Sequence, residues 1–208
     1  MKYFFLCALW VLWCFLHSFF TSAKTTAWFK NFIGDKFAFY RIFYNVFSLI
    51  TVLPLLYWQM KISGPVVIKL SPVLLLVKYT ALILSAILMA GSFLSFNVKK
   101  FLGIGQITSR HQKTVKPVIS KHGFYGVVRH PMYLGGVIFF TALMTGAPLA
   151  RFLGYLILGV YMIIGTIRED RRLANELGEE YRNYQKEVPM FIPGFAKANR
   201  FARKQKDR

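Results

Sequence analysis

Long apolar stretches constrain the fold of this chain more than any other feature of its sequence. Three of them are each long enough to cross about 30 Å of hydrocarbon as a helix, which takes about 20 residues. They run from about Tyr3 to Phe20, Phe37 to Trp58 and Pro72 to Phe96. Two further spans fit between Met132 and Ile167, with Gly146 and Pro148 in the turn between them. We therefore expect an all-α integral membrane protein with about five transmembrane helices.

Lysine and arginine are distributed unevenly between the loops that five spans create. Segments 21–36, 97–131 and 168–208 carry 21 of the 27 Lys and Arg residues, and the loops on the other side carry four. Basic loops usually stay on the cytoplasmic side of a membrane. The pattern thus predicts a cytoplasmic basic side and an N-terminus outside.

The whole chain, residues 1–208, is expected to form one membrane domain. Residues 1–96 supply three N-terminal spans, 97–193 a catalytic region with a helical hairpin, and 194–208 a basic tail. Between the first two spans, apolar residues such as Trp28 and Phe29 are interleaved with Lys24 and Lys30, which is typical of a helix in the membrane interface. Residues 167–186 predict a cytoplasmic amphipathic helix broken at Gly178.

The net charge of +19 raises the possibility of a nucleic-acid partner. No zinc or RNA-binding motif accompanies the charge, so we expect no nucleic-acid binding and infer contact with anionic lipid headgroups. The two cysteines, Cys7 and Cys14, lie seven residues apart on one predicted helix without a set of metal ligands around them. They are interpreted as packing residues, and no metal site is expected.

Two polar blocks flank the last apolar hairpin. Arg129-His130-Pro131 precedes it, and Glu169-Asp170 follows about 40 residues later. The two ends of an antiparallel helix pair lie on the same side of a membrane. The blocks are therefore expected to meet and to assemble a site.

Each block also has a purely structural interpretation. Pro131 favours a helix start, and a helix N-terminus attracts anions such as carboxylates. Arg129 and His130 could equally anchor that helix end at lipid headgroups. Acidic groups at a bilayer boundary are costly unless they are paired or functional, so Glu169 and Asp170 could form structural ion pairs or hold a ligand.

Other polar residues near the predicted membrane boundary have structural explanations by default. The tyrosines at 125, 133, 181 and 184 are typical of an aromatic belt at the headgroups. His17 and Ser18 end the first span, and Arg41 and Asn45 share one face of the second. These four predict a hydrogen-bond network inside the bundle, with substrate contact as the alternative.

The polar blocks and the residues around them form a two-part motif that resembles that of a known protein family. The pattern is Gly123-x-Tyr125-x-x-x-Arg129-His130-Pro131-x-Tyr133-x-Gly135, followed by Glu169-Asp170, Gly178, Tyr181, Tyr184, Val188-Pro189 and Ile192-Pro193. It resembles the isoprenylcysteine carboxyl methyltransferase family of membrane methyltransferases over about residues 101–193. The N-terminal half, with His17-Ser18, is similar to the bacterial branch that contains NnrU-type proteins and methanethiol S-methyltransferase.

The resemblance implies S-adenosylmethionine as cofactor, bound at the cytoplasmic face of a bacterial inner membrane. It implies catalytic roles for Arg129, Glu169 and Asp170. The cofactor-binding residues that it implies are Gln106, Pro117, Val118, Ile119, Ser120, Tyr125, His130, Pro131, Met132, Tyr133 and Glu169. The family's substrate-contacting arginine falls on Gly165, which weakens the case for a prenylcysteine carboxylate substrate.

The predicted function is accordingly transfer of a methyl group to a lipophilic or small thiol or carboxyl acceptor. Phospholipid N-methylation is a variant within the same family. Two alternatives remain open from the sequence. One is a nicotinamide-dependent sterol or steroid-type membrane reductase, which has a similar C-terminal pattern, and the other is a non-enzymatic NnrU-like membrane accessory protein.

Overall fold

The computed structural model describes residues 1–94, 121 and 123–192, and within them the chain is helical. The α-helices are α1 (Lys2–Thr21), α2 (Ala23–Ile33), α3 (Tyr40–Lys61), α4 (Pro72–Leu94), α5 (Pro131–Met144), α6 (Leu149–Leu177) and α7 (Glu179–Glu187). Short 3₁₀ turns cover Gly34–Phe39 and Gly123–Gly126. The predicted all-α class is confirmed.

Four of the described helices are long and apolar enough to cross a membrane. They are α1, the part of α3 from Ile42, α4 and α6. Helix α5 has 14 residues and is therefore about 21 Å long, shorter than the roughly 30 Å hydrocarbon layer. The structure thus contains four candidate spans of full length and one short apolar helix in place of the fifth.

Helix α2 follows α1 after a single residue and has the composition of an interfacial helix. The Ser22 hydroxyl caps it by accepting a hydrogen bond from the Thr25 amide at 3.2 Å. Trp28 and Phe32 stack with their ring centroids 5.4 Å apart and are both exposed. This agrees with the interface helix predicted from the sequence.

The main core lies where α1, α3 and α6 meet. Leu6 and Trp10 are fully buried there, and the Trp10 indole N–H donates to the Gln59 side-chain oxygen at 2.6 Å. Gly154 faces this pair, and a Cβ atom at that position would lie 2.8 Å from Trp10 Nε1. Glycine therefore lets α6 approach a buried polar pair that is satisfied within the bundle.

The turn between α5 and α6 pairs with the loop between α3 and α4. The Val67 amide donates to the Ala147 carbonyl, Gly146 to Ile68, and Leu149 to Pro65, at distances of 2.8–3.3 Å. The Lys78 ammonium also donates to the Thr145 carbonyl at 2.8 Å. The loop and this lysine thus satisfy the polar backbone groups at the end of the short helix.

Helix α6 ends at Leu177, and the chain then reverses over the polar end of the hairpin. Gly178 has φ 61°, a conformation that favours glycine, and α7 begins at the next residue. The predicted break at Gly178 is confirmed. On α7 and just after it, Tyr181, Tyr184 and Val188 are buried and pack against Leu173, Ala174 and Leu177.

Candidate functional site

The hairpin of α5 and α6 brings Arg129 and Asp170 into contact, as expected from the antiparallel arrangement. Arg129 Nε donates to Asp170 Oδ1 at 3.0 Å, and Nη2 donates to Oδ2 at 3.2 Å. Only 9% of the arginine side chain and 7% of the aspartate side chain are exposed. The pair is therefore bidentate and largely removed from water, which is the strong form of this interaction.

Three more side chains surround the Asp170 carboxylate. His130 Nε2 lies 2.9 Å from Oδ1, and the Tyr181 hydroxyl donates to the same oxygen at 2.8 Å. The Gln185 amide donates to Oδ2 at 2.7 Å. With the two arginine contacts, both oxygens are fully engaged, so the donor set matches an ionised carboxylate that accepts only. We call these five residues, Arg129, His130, Asp170, Tyr181 and Gln185, the Asp170 cluster.

Arg129 also ties the end of α7 to the hairpin. Its Nη1 group donates to the Gln185 carbonyl at 3.1 Å and to the Val188 carbonyl, and its backbone amide donates to the Pro189 carbonyl at 2.9 Å. The guanidinium thus uses its remaining donors on main-chain oxygens. This explains how the motif around Val188-Pro189 reaches the distant Arg-His-Pro motif.

Local sequence accounts for the inward positions of His130 and Asp170. His130 is the N-cap of α5 and Pro131 its first residue, where the missing proline N–H is not needed. The His130 side chain makes no capping bond to its own helix and turns to Asp170 instead. On α6, Asp170 continues a series of buried residues that are separated by four or eight positions and so lie along one side of the helix: Ala150, Gly154, Leu158 and Thr166.

Glu169 lies on another side of α6 because neighbouring helical residues differ by about 100°. It pairs with Arg172, with contacts of 2.6 Å and 3.0 Å between guanidinium nitrogens and carboxylate oxygens. The arginine side chain is 52% exposed and the glutamate side chain 29%. The two acids that are adjacent in sequence therefore occupy different environments, one enclosed and one accessible.

The tyrosines do not form a simple belt at the headgroups. Tyr181 and Tyr184 are 3% and 2% exposed, so the belt interpretation is wrong for them. Burial, and then the hydrogen bond to Asp170, raise the pKa of Tyr181 far above its usual range, so this phenol stays protonated. The Tyr184 hydroxyl donates to the Tyr125 carbonyl, and burial raises the pKa of Tyr125 to about 12.

The remaining predicted site residues divide into two groups. Pro131, Met132 and Tyr133 form the first turn of α5, next to the Asp170 cluster. Gln106, Pro117, Val118, Ile119 and Ser120 lie outside the described residues. Gln185 was not predicted from the sequence, although its place one turn beyond Tyr181 on α7 could have indicated it.

A second polar cluster lies between α1, α3 and α6. His17 Nδ1 lies 2.8 Å from the Tyr161 hydroxyl, and His17 Nε2 lies 2.6 Å from the Tyr44 hydroxyl. The Ser18 hydroxyl is 3.0 Å from the same Tyr161 oxygen. We call His17, Ser18, Tyr44 and Tyr161 the His17 cluster. It confirms a hydrogen-bond network at His17 and Ser18, whose phenol partners were not predicted.

The fold and the Asp170 cluster define a helical membrane protein with a buried polar clamp at one end of its hairpin. Residues 5–198 match the model of the NnrU protein family, and the chain belongs to that family. No solved structure matches the chain significantly.

The chain is also similar to curated proteins named methanethiol S-methyltransferase. It is 28% identical over 182 residues to methanethiol S-methyltransferase 1 of Bradyrhizobium diazoefficiens, covering 85% of this chain and 62% of that protein. It is 36% identical over 118 residues to the Pseudomonas deceptionensis protein, covering 54% of this chain and 41% of the relative. The Crocosphaera subtropica protein is 27% identical over 87% of this chain and 71% of its own length. The chain thus covers between 41% and 71% of the length of these three relatives.

Proposed function

We propose that this protein is a membrane methyltransferase that takes its methyl group from S-adenosylmethionine and passes it to a small thiol. The observation that carries the proposal is the Asp170 cluster, which joins the two halves of a methyltransferase-like signature. The relatives' name, methanethiol S-methyltransferase, supports a small thiol and favours a methyltransferase over the nicotinamide-dependent reductase. The basic side of the membrane, where the cluster lies, is proposed to be cytoplasmic and to contact anionic headgroups.

The charges of the described residues fit this cofactor, which carries an anionic carboxylate and a cationic sulfonium. The N-terminus of α5 has a positive partial charge, and the His130 side chain does not cap it, so the turn from His130 to Tyr133 suits the carboxylate. The carboxylate of Glu169 is proposed to face the cationic sulfonium of the cofactor. Tyr125 and the residues implied at 106 and 117–120 would complete the site.

The two acids are proposed to have different roles. Asp170 already accepts five hydrogen bonds, so it acts as a positioning residue that orients Arg129 and His130. Within the described part of the chain, Glu169 is held by a partly exposed pair with Arg172, and such pairs are worth about 0.2–1 kcal/mol. Glu169 can therefore exchange Arg172 for a cationic ligand at little cost.

The bound cofactor supplies a methyl group activated by the positive sulfur to which it is attached. The residues of this chain need to hold the cofactor and the thiol in contact and to exclude water. Holding two reactants in contact substantially lowers the activation barrier by itself. Arg129 is proposed to keep the site closed through its bonds to the carbonyls at 185, 188 and 189. Gly165, which stands where the resemblance places a substrate-binding arginine, favours a thiol over a prenylcysteine carboxylate.

The test uses the whole chain purified into lipid nanodiscs. Labelled S-adenosylmethionine is supplied with methanethiol, a prenylcysteine or phospholipid alone, and products are separated by headspace gas chromatography and lipid extraction. Labelled dimethyl sulfide is the expected product. If no acceptor is methylated and calorimetry detects no cofactor binding, the proposal fails, and tight binding of a nicotinamide nucleotide would indicate the reductase.

The role of Glu169 is tested by cofactor binding. We expect Glu169→Ala to fold normally and to bind S-adenosylmethionine at least tenfold more weakly, a loss of about 1.4 kcal/mol. Glu176→Ala is the matched control, because Glu176 is a second carboxylate near Arg172, at 3.8 Å and on the next turn. Equal binding by both variants would remove Glu169 from the site.

A further inference from the structure

The His17 cluster is built in a way that allows it to take up a proton. A neutral imidazole has one N–H donor and one lone pair, and both ring nitrogens of His17 meet a phenol oxygen. A protonated imidazole has two N–H donors, and both phenol oxygens can accept from it. Only the phenol O–H bonds need to rotate between the two states, so the heavy atoms keep their places.

The cluster lies close to the proposed cofactor site along α6. Tyr161, Gly165 and Glu169 are four residues apart on this helix and lie along one side of it. The distance from Tyr161 to Glu169 along the axis is about 12 Å, from eight residues at about 1.5 Å each. Gly165 lies midway between Tyr161 of the His17 cluster and Glu169, the acid proposed to face the cofactor.

Gly165 leaves room between these two points. Among the residues that the structure describes, the nearest atom that a Cβ at this position would meet is Cε1 of the Tyr133 ring, at 4.0 Å, an ordinary contact distance. Tyr133 in turn lies within electrostatic range of Tyr44, Tyr161 and Glu169. The Tyr133 ring thus lies beside the Gly165 position and near residues of both the His17 cluster and Glu169.

We propose that a small thiol binds beside Gly165 and Tyr133, and that His17 is the base that removes its proton through Tyr161. This inference rests on the proposed function. The thiol S–H bond breaks, its electron pair stays on sulfur, and the proton passes to the Tyr161 oxygen. The phenol proton of Tyr161 passes at the same time to the free lone pair of His17 Nδ1. The Nε2 N–H of His17 donates to the Tyr44 oxygen throughout. The thiolate that results is the reactive form of the acceptor.

The groups around His17 determine how this base responds to pH. Trp13 and Ser18 are its neighbours on α1, Tyr44 contacts it from α3, and Tyr161 from α6. Further out, Cys14 and Arg168 are further titratable groups near Tyr161. Of these groups only the neutral imidazole has a ring nitrogen free to take up a proton at neutral pH, because the phenols, the thiol and the guanidinium are already protonated there.

The decisive test compares acceptors of different acidity in His17→Gln. Glutamine retains a donor and an acceptor but cannot take up a proton at neutral pH. With methanethiol we expect turnover to fall about 10²–10⁴-fold at pH 7, the usual contribution of a general base. Raising the pH should restore turnover. Methaneselenol is already ionised at pH 7, so its methylation should be unchanged.

Two controls separate loss of a base from loss of structure. Tyr161→Phe should resemble His17→Gln, because it removes the relay. Tyr40→Phe is the matched control, since it also removes a phenol bond between α3 and α1, from Tyr40 to the Phe20 carbonyl at 2.8 Å, outside the cluster. It should leave turnover of both acceptors unchanged. Calorimetric binding of S-adenosylmethionine should be the same in all three variants.

The outcomes distinguish this inference from the proposed function. If the unmodified protein methylates neither acceptor, the proposed function itself fails. If it methylates methanethiol and His17→Gln loses activity equally with thiol and selenol at every pH, then His17 is only structural and the inference is overturned. Unchanged thiol turnover in His17→Gln would overturn it as well.

Discussion

The contrast between Asp170 and Glu169 leads to a sharp stability prediction, because the two acids are adjacent and can be neutralised with almost no change in shape. In Asp170→Asn, an NH₂ group replaces one of the two carboxylate oxygens. This group cannot accept the hydrogen bonds that the surrounding donors offer. Three donors meet Oδ1 and two meet Oδ2, so either orientation of the amide creates a conflict. The buried Arg129 charge also loses its partner.

Removing one member of a buried ion pair usually costs about 3–5 kcal/mol. For a chain of this size, about 2–4 °C of Tm corresponds to 1 kcal/mol, so the expected fall is roughly 6–20 °C. In Glu169→Gln the lost interaction is the exposed pair with Arg172, worth about 0.2–1 kcal/mol. Its Tm should fall by less than about 4 °C.

The assay is thermal unfolding of each variant in the same detergent, followed by tryptophan fluorescence and by loss of the monodisperse peak on size exclusion. The double variant Arg129→Gln, Asp170→Asn should lose about 1–3 kcal/mol less than the sum of the single losses, because both changes break one interaction. Equal falls in Tm for Asp170→Asn and Glu169→Gln, or additive losses in the double variant, would refute the assignment of Asp170 as a buried clamp.

Two further predictions concern Gly154 in the main core and Tyr181 in the Asp170 cluster. Gly154→Ala places a methyl group against Trp10 and Gln59 and should cost about 1–3 kcal/mol. Gly159→Ala meets, among the described residues, just the Phe140 Cβ at 3.8 Å and should be nearly neutral in the same unfolding assay. Tyr181→Phe removes a bond to a charged group and should cost about 1.5–3 kcal/mol at pH 7. The pKa of Tyr181 is raised in the folded state, so the stabilisation by its hydroxyl is complete below about pH 10 and is lost as the pH rises further. Above pH 10 the stability of Tyr181→Phe should therefore fall less steeply than that of the unmodified protein.

The helices and the meeting of the two polar blocks followed from the sequence, and the reason is geometric. Apolar length determines where spans can lie, and an antiparallel hairpin places Arg129 near the acids whatever the details of packing. The start of α5 at Pro131 and the break at Gly178 also followed, since each depends on local backbone preferences.

The choice between Glu169 and Asp170 depends on the rotation of α6, which a charge pattern does not determine. The rotation is set by close packing at Gly154 and by the buried series that ends at Asp170. That spacing of four is present in the sequence, and it would select Asp170 over Glu169 for the buried side of the helix. The carbonyl partners of Arg129 at 185 and 188 could not be predicted, because main-chain contacts between distant segments leave no mark in residue type.

The shortness of α5 has a consequence for how the protein is made. A helix of about 21 Å is shorter than the roughly 30 Å hydrocarbon layer, and unpaired peptide groups at its end would be costly there. The loop at 65–68 pairs with those groups, and it precedes the hairpin in the chain, so the ribosome delivers it first. We infer that the hairpin depends on this earlier loop for stable insertion, so the N-terminal half has to be in place before the C-terminal half.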